Sequence, residues 1–110
     1  MAYDLPDRLA LARRSDAAFN VLEADLLAEK ASSLGHHARL VEAAMAALRA
    51  FDAEPGGSPD ERLRLVKAAA RHVWAFFVQR ELCGLRDQKQ IIEDYAIPGE
   101  VLVRLGAIDR

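Results

Sequence analysis

The chain's only cysteine, Cys83, lies in the run QRELCGLRD (79–87), among Arg80, Glu81, Arg86 and Asp87. A thiol becomes a nucleophile or a redox centre when nearby cations favour the thiolate. Arg80 and Arg86 stand three residues to either side of it. Two features oppose that use. Cys83 falls where a helix is expected to end, and the helix dipole disfavours an anion there. His72, the histidine nearest in sequence, lies roughly 16 Å back along such a helix, too far to act as base. A cysteine-dependent enzyme or a redox sensor at Cys83 stays an alternative. The preferred reading is a soft packing residue.

The same charges admit a structural use. On a helical wheel Arg80 and Glu81 fall at the edge of the arc that holds Val66, Val73 and Phe77. A charge on a core-facing arc needs a partner. Gly84 is placed to end the helix in the left-handed conformation, and Asp87 to begin the next. A polar clasp is therefore expected from Arg80, Glu81, Arg86 and Asp87. In it Arg80 or Arg86 pairs with Asp87, Glu93 or Asp94, because the planar guanidinium matches a carboxylate at two points.

No catalytic, cofactor-binding or metal-binding set stands out. His36 and His37 are adjacent and point about 100° apart on a helix, so they cannot share a metal. Three His and one Cys fall into no zinc spacing. A single Cys also excludes an internal disulfide.

The tail QKQIIEDYAIPGEVLVRLG (88–106) has the rhythm of a helix-turn-helix, with Ala96 where the turn's glycine often sits. Reading DNA needs a second helix bearing base-reading and phosphate-binding groups. PGEVLVRLG offers one acid, one arginine and mostly apolar groups, and Glu93, Asp94 and Glu100 add negative charge. A DNA-binding regulator is thus a second alternative, and a helical corner packed on the rest of the chain is preferred.

The elements that position these residues follow from composition and period. The chain has 110 residues, 52% hydrophobic and 29% charged, which suits one globular domain. Its formal net charge of -2 gives no global basic field for nucleic acid or an anionic membrane. No run of about 18 apolar residues could span a membrane, and the N-terminus lacks a signal-peptide apolar core, so a cytoplasmic protein is expected.

Alanine and leucine dominate and no strand-period alternation occurs, so the fold class is all-α. Leu27, Ala31, Leu34, Ala38, Val41, Met45 and Leu48 share one helical face. Phe19, Leu22, Leu26, Leu40, Ala44, Ala47 and Phe51 widen the stripe. One helix over 16–52 is expected, continuous through Gly35. Residues 1–15 read as a mobile arm or a short helix starting at Pro6.

Residues 53–58 form a loop. Ser58, Pro59 and Glu61 make a capping box that starts a second helix over 59–83. Leu63, Val66, Ala70, Val73 and Phe77 are its core face, flanked by Ala69, Trp74 and Phe76. Short helices follow over 87–95 and 98–105, with Gly106 past the last. Two long helices on a short loop must lie antiparallel. Their apolar arcs are wider than a hairpin needs, and the first helix outruns the second. A homodimer that closes a four-helix bundle would cover the excess.

EKASSLG (29–35), QRELCGLRD (79–87) and YAIPGEVLVRLG (95–106) together resemble a small, uncharacterised bacterial helical family, a domain of unknown function. The resemblance covers most of the chain and implies no activity, ligand or site residue. The expected function is that of a non-catalytic, protein-interacting module, either a homo-oligomer or an adaptor.

Overall fold

The computed structural model describes residues 5–107, with side chains described from Ala10 onward. Four helices follow one another: α1 (Leu5–Ala53), α2 (Pro59–Leu82), α3 (Lys89–Asp94) and α4 (Gly99–Leu102). The described residues contain no strand. The all-α class holds.

The first helix departs from expectation at its start. It begins at Leu5, so the described part of 1–15 is continuous with the long helix and forms no separate short one. Pro6 sits in the first turn, where its missing N–H breaks no bond. The next proline is Pro55, and the intervening Ala, Leu, Glu and Arg residues all favour helix. Gly35 is accommodated without a break. At 49 residues against 24 for α2, the first helix is about twice as long.

Contacts divide the chain into two units, residues 1–32 and 33–110. In the first, every described residue is helical, and every side chain from Leu11 to Ser32 is exposed. That includes Phe19 (65%), Leu22 (62%) and Leu26 (58%), together with Leu11, Val21 and Leu27.

The second unit holds the core. Residues 54–58 reverse the chain, with Gly57 seated against the Phe51 ring, where a Cβ would collide. The last part of α1 then packs on α2 through Val41, Met45 and Leu48 against Val66, Ala69, Ala70, Val73, Phe76 and Phe77. Ile97 and Val101 join this cluster from the tail, and Val41, Val73 and Val101 are its largest fully buried side chains.

Two side chains read into the buried arc lie outside it. Leu63 and Trp74 are 38% and 49% exposed. Each lies roughly 80–100° around the helix from Val73, the centre of the buried face. Trp74 instead lies beside the turn at Gly106.

The ends of α2 follow from local chemistry. The Ser58 hydroxyl accepts the Glu61 N–H at 3.1 Å, with Pro59 opening the helix. The reciprocal bond from Ser58 N–H to the Glu61 carboxylate is absent among the described residues. At the other end, Gly84 has φ +82°. Its N–H bonds the Glu81 carbonyl, and the Leu85 N–H reaches back to the Arg80 carbonyl, each at 2.9 Å. These two bonds make a Schellman motif.

The motif recurs after α3. Ala96 N–H bonds the Glu93 carbonyl and Ile97 N–H bonds the Ile92 carbonyl. Here the left-handed position is held by Ala96, at φ +50°. The short helices are shorter than expected: α3 has six residues and α4 four, and turns continue to Gly106.

Candidate functional site

The polar clasp predicted from QRELCGLRD exists at Arg80, with different partners. Its Nε donates to Gln88 Oε1 at 2.9 Å, and its Nη2 to the Asp87 carbonyl at 3.0 Å. The guanidinium carbon lies 5.7 Å from the centre of the Phe76 ring. Tyr95 meets that same ring edge-on, at 5.9 Å and 81°. One arginine thus holds the α2–α3 corner by its backbone carbonyl, its side chain and a cation–π contact.

No carboxylate takes part, which corrects the expected pairing. The Asp87 carboxylate is used locally, accepting the Lys89 N–H at 3.1 Å at the start of α3. Glu93 and Asp94 do not reach Arg80, and Asp94 accepts from Gln90 instead. Glu81 and Arg86 are exposed, and their side chains make no hydrogen bond or ion pair among the described residues. The clasp closes through Arg80, whose guanidinium reaches the Asp87 carbonyl and the Gln88 side chain, and Glu81 and Arg86 have no part in it.

A second, larger junction went unread in the sequence. Arg62, in the second turn of α2, grips two carboxylates. Its Nε and Nη2 donate to the two Asp52 oxygens at 2.8 and 3.0 Å. Its Nη1 and Nη2 donate to the two Glu100 oxygens at 2.8 and 2.7 Å. The end of α1, the start of α2 and the start of α4 therefore meet at one guanidinium.

The electrostatics follow from this geometry. Hydrogen bonds from Arg62 hold both the Asp52 and Glu100 carboxyls below their ordinary range. The two carboxylates, Glu100 first, raise the Arg62 guanidinium in turn.

A signal for this junction was present. Asp52 lies at a helix C-terminus and Arg62 near a helix N-terminus. Each is the wrong sign for its dipole. Two adjacent misplaced charges of opposite sign across one tight loop invite pairing. Glu100, 38 residues from Arg62, had no such local mark.

Cys83 is half-buried at the C-cap of α2, its N–H bonded to the Gln79 and Arg80 carbonyls. Among the described residues no group of three or more His, Cys, Asp or Glu side chains converges. His36 is exposed and His37 half-buried, their rings edge-to-face at 5.6 Å. The His37 Nδ1 is buried and has no hydrogen-bond partner among the described residues.

Residues 88–106 form a helical corner. Ile97 and Val101 enter the core, and α4, one turn long, lies on α2. Beside that contact, Lys67, Arg71, Arg104, Trp74 and Gly106 line a cleft of about 140 Å³. Lys67 is half-buried and both it and Arg71 are engaged in interactions.

One surface left without a partner among the described residues is the apolar face of the first unit. Leu11, Phe19, Leu22 and Leu26 fall within about 80° on the helical wheel, and all four are exposed. No helix among the described residues is long and apolar enough to cross a membrane.

Comparison with known proteins gives one match, over residues 3–110, to the model described as "Family of unknown function (DUF6665)". No curated protein and no solved structure matches.

Proposed function

The chain belongs to this family, and from that premise we propose that it is a non-catalytic helical module that works through protein contacts. The observation that carries the reading is the run of exposed large apolar side chains on α1 from Leu11 to Leu27. Singly exposed apolar residues are ordinary, but a contiguous patch marks a contact surface. In proteins most helical stability comes from packing an amphipathic face rather than from propensity, and the side chains from Leu11 to Ser32 are all exposed. A second copy or an adaptor partner supplies that cover, and pairing of two copies into a dimeric helical bundle is the simplest arrangement.

The second unit supports the reading as a scaffold. Its polar groups are spent on joining helices: Arg80 closes the α2–α3 corner and Arg62 ties three helix ends. The test is photo-cross-linking in the native host, with a benzophenone amino acid at Leu22 and, as control, at Arg86. Discrete protein adducts from Leu22 alone are expected, whether to the chain itself or to another protein. An adduct pattern at Leu22 no different from that at Arg86 overturns the reading.

A further inference from the structure

On α2, Lys67, Arg71 and Trp74 follow one another at spacings of four and three. They fall within about 60° on one face and span about 10 Å of the helix. The turns after α4 bring Arg104 and Gly106 to that face, and together these residues line the cleft of about 140 Å³. Three cations converge there, and no acidic side chain is among the described residues that line it.

Arg104 is half-buried, and its side chain makes no hydrogen bond or ion pair among the described residues. Glu100, a carboxylate that feels the Arg104 charge, gives both its oxygens to Arg62 instead. Lys67 and Arg71 hold interactions of their own. Each carries several N–H donors, so an anion can be added to those contacts.

We propose that this cleft binds the phosphate group of a small, soluble phosphate monoester. Size and charge select that class. Pockets for drug-sized ligands run to about 300–1,000 Å³, so this one takes a single anionic group and leaves the remainder outside. A phosphate monoester carries about 1.5 to 2 negative charges near neutral pH, and three converging cations favour it over a singly charged carboxylate. Arginine's planar fork and the compact lysine ammonium both suit phosphate oxygens. Trp74 supplies a wall for the remainder. Its side chain is half-exposed, and a Cβ at Gly106 would touch its six-membered ring at 3.7 Å. A planar substituent can stack on such a ring. The chain's net charge of -2 provides no field to hold an anionic membrane, which favours a soluble ligand. The cleft belongs to the second unit and the apolar face to the first, so either reading can fail without the other.

Trp74 is the chain's only tryptophan, so its fluorescence reports on the cleft directly. The full chain is titrated with phenyl phosphate at about 0.15 M ionic strength, by fluorescence and by calorimetry. Saturable binding with a half-point below about 1 mM is expected. Acetate at matched ionic strength should give no saturable response. Arg104→Gln should weaken phenyl phosphate binding by about tenfold or more, through loss of charge-assisted bonds. Arg86→Gln, exposed and outside the cleft, should leave it within about twofold. A half-point above about 1 mM, acetate binding equal to that of phenyl phosphate, or an Arg104→Gln chain that binds like the native one overturns the proposal. Circular dichroism separates lost binding from lost fold, and the native-chain titrations decide the matter without the variants.

Discussion

The guanidinium of Arg62 donates two hydrogen bonds to the carboxylate of Glu100, at 2.8 and 2.7 Å, across 38 residues of sequence. This contact seats the start of α4 on α2 while the same guanidinium holds Asp52 at the end of α1. Because one group serves two carboxylates, removing Arg62 leaves two like charges facing each other. We expect Arg62→Met to lower the melting temperature more than either Asp52→Asn or Glu100→Gln. The sum of the two single losses should differ from the loss in the double variant, since the three groups form one network.

The same junction predicts an acid dependence. Asp52 and Glu100 ionise more readily folded than unfolded, because Arg62 hydrogen-bonds their carboxylates. Their contribution is therefore complete above the unfolded carboxyl range, about pH 4, and is lost as pH falls through the lower folded values. Melting temperature against pH should fall on the acid side of about pH 4 in the native chain. In Arg62→Met that fall should be shallower. Equal slopes would remove the junction from the account.

The two Schellman turns give opposite predictions for one substitution pair. Gly84 and Ala96 both hold left-handed φ, at +82° and +50°. An L side chain is strained there and glycine is not. Ala96→Gly should stabilise by about 0.5–1 kcal/mol, and Gly84→Ala should destabilise by about 1 kcal/mol. A Cβ at Gly84 would meet no atom within 4 Å, so its cost is that of the backbone alone. Chemical denaturation reads both.

Gly35 offers a test of the continuous helix. It lies inside α1, and a Cβ added there meets only Arg39 Nη1, at 3.3 Å. That atom ends a flexible side chain and can move. Gly35→Ala should stabilise by about 0.5–1 kcal/mol, the glycine–alanine difference in a helix interior. A loss of stability would show that the site needs its glycine.

At the α2–α3 corner, Arg80→Ala should destabilise by about 1–2 kcal/mol, through the Gln88 and Asp87 contacts and the Phe76 ring. Asp87→Ala should cost less, because Arg80 binds the Asp87 carbonyl, which that substitution keeps. If the two variants melt alike, the carboxylate matters and the clasp has been misread.

A good part of the fold was legible. Period and composition determine the all-α class, and Pro55, Gly56, Gly57 and Ser58 determine where α1 gives way to α2. Gly84 marks its own left-handed turn, because only local backbone sterics are at issue. The core positions Val66, Ala70, Val73 and Phe77 also follow from spacing alone. The start of α1 did not. A helix that nothing interrupts can begin at any of several residues, and the sequence near Pro6 carries no stronger stop.

Sequence by itself thus determined the helical elements, the loop between α1 and α2, the two ends of α2 and most of its buried face, since these depend on residues within about four positions of one another. Tertiary structure decided the partners. Arg80 could have met any of several carboxylates, and it bonded a carbonyl and an amide instead, because the Schellman turn at Gly84 brings the Asp87 backbone and the Gln88 side chain within reach. Arg62 finds Glu100 only once α4 has been laid on α2 by Val101 and Ile97. A contact between distant residues is set by where the packed core delivers each chain segment, and no local pattern carries that information.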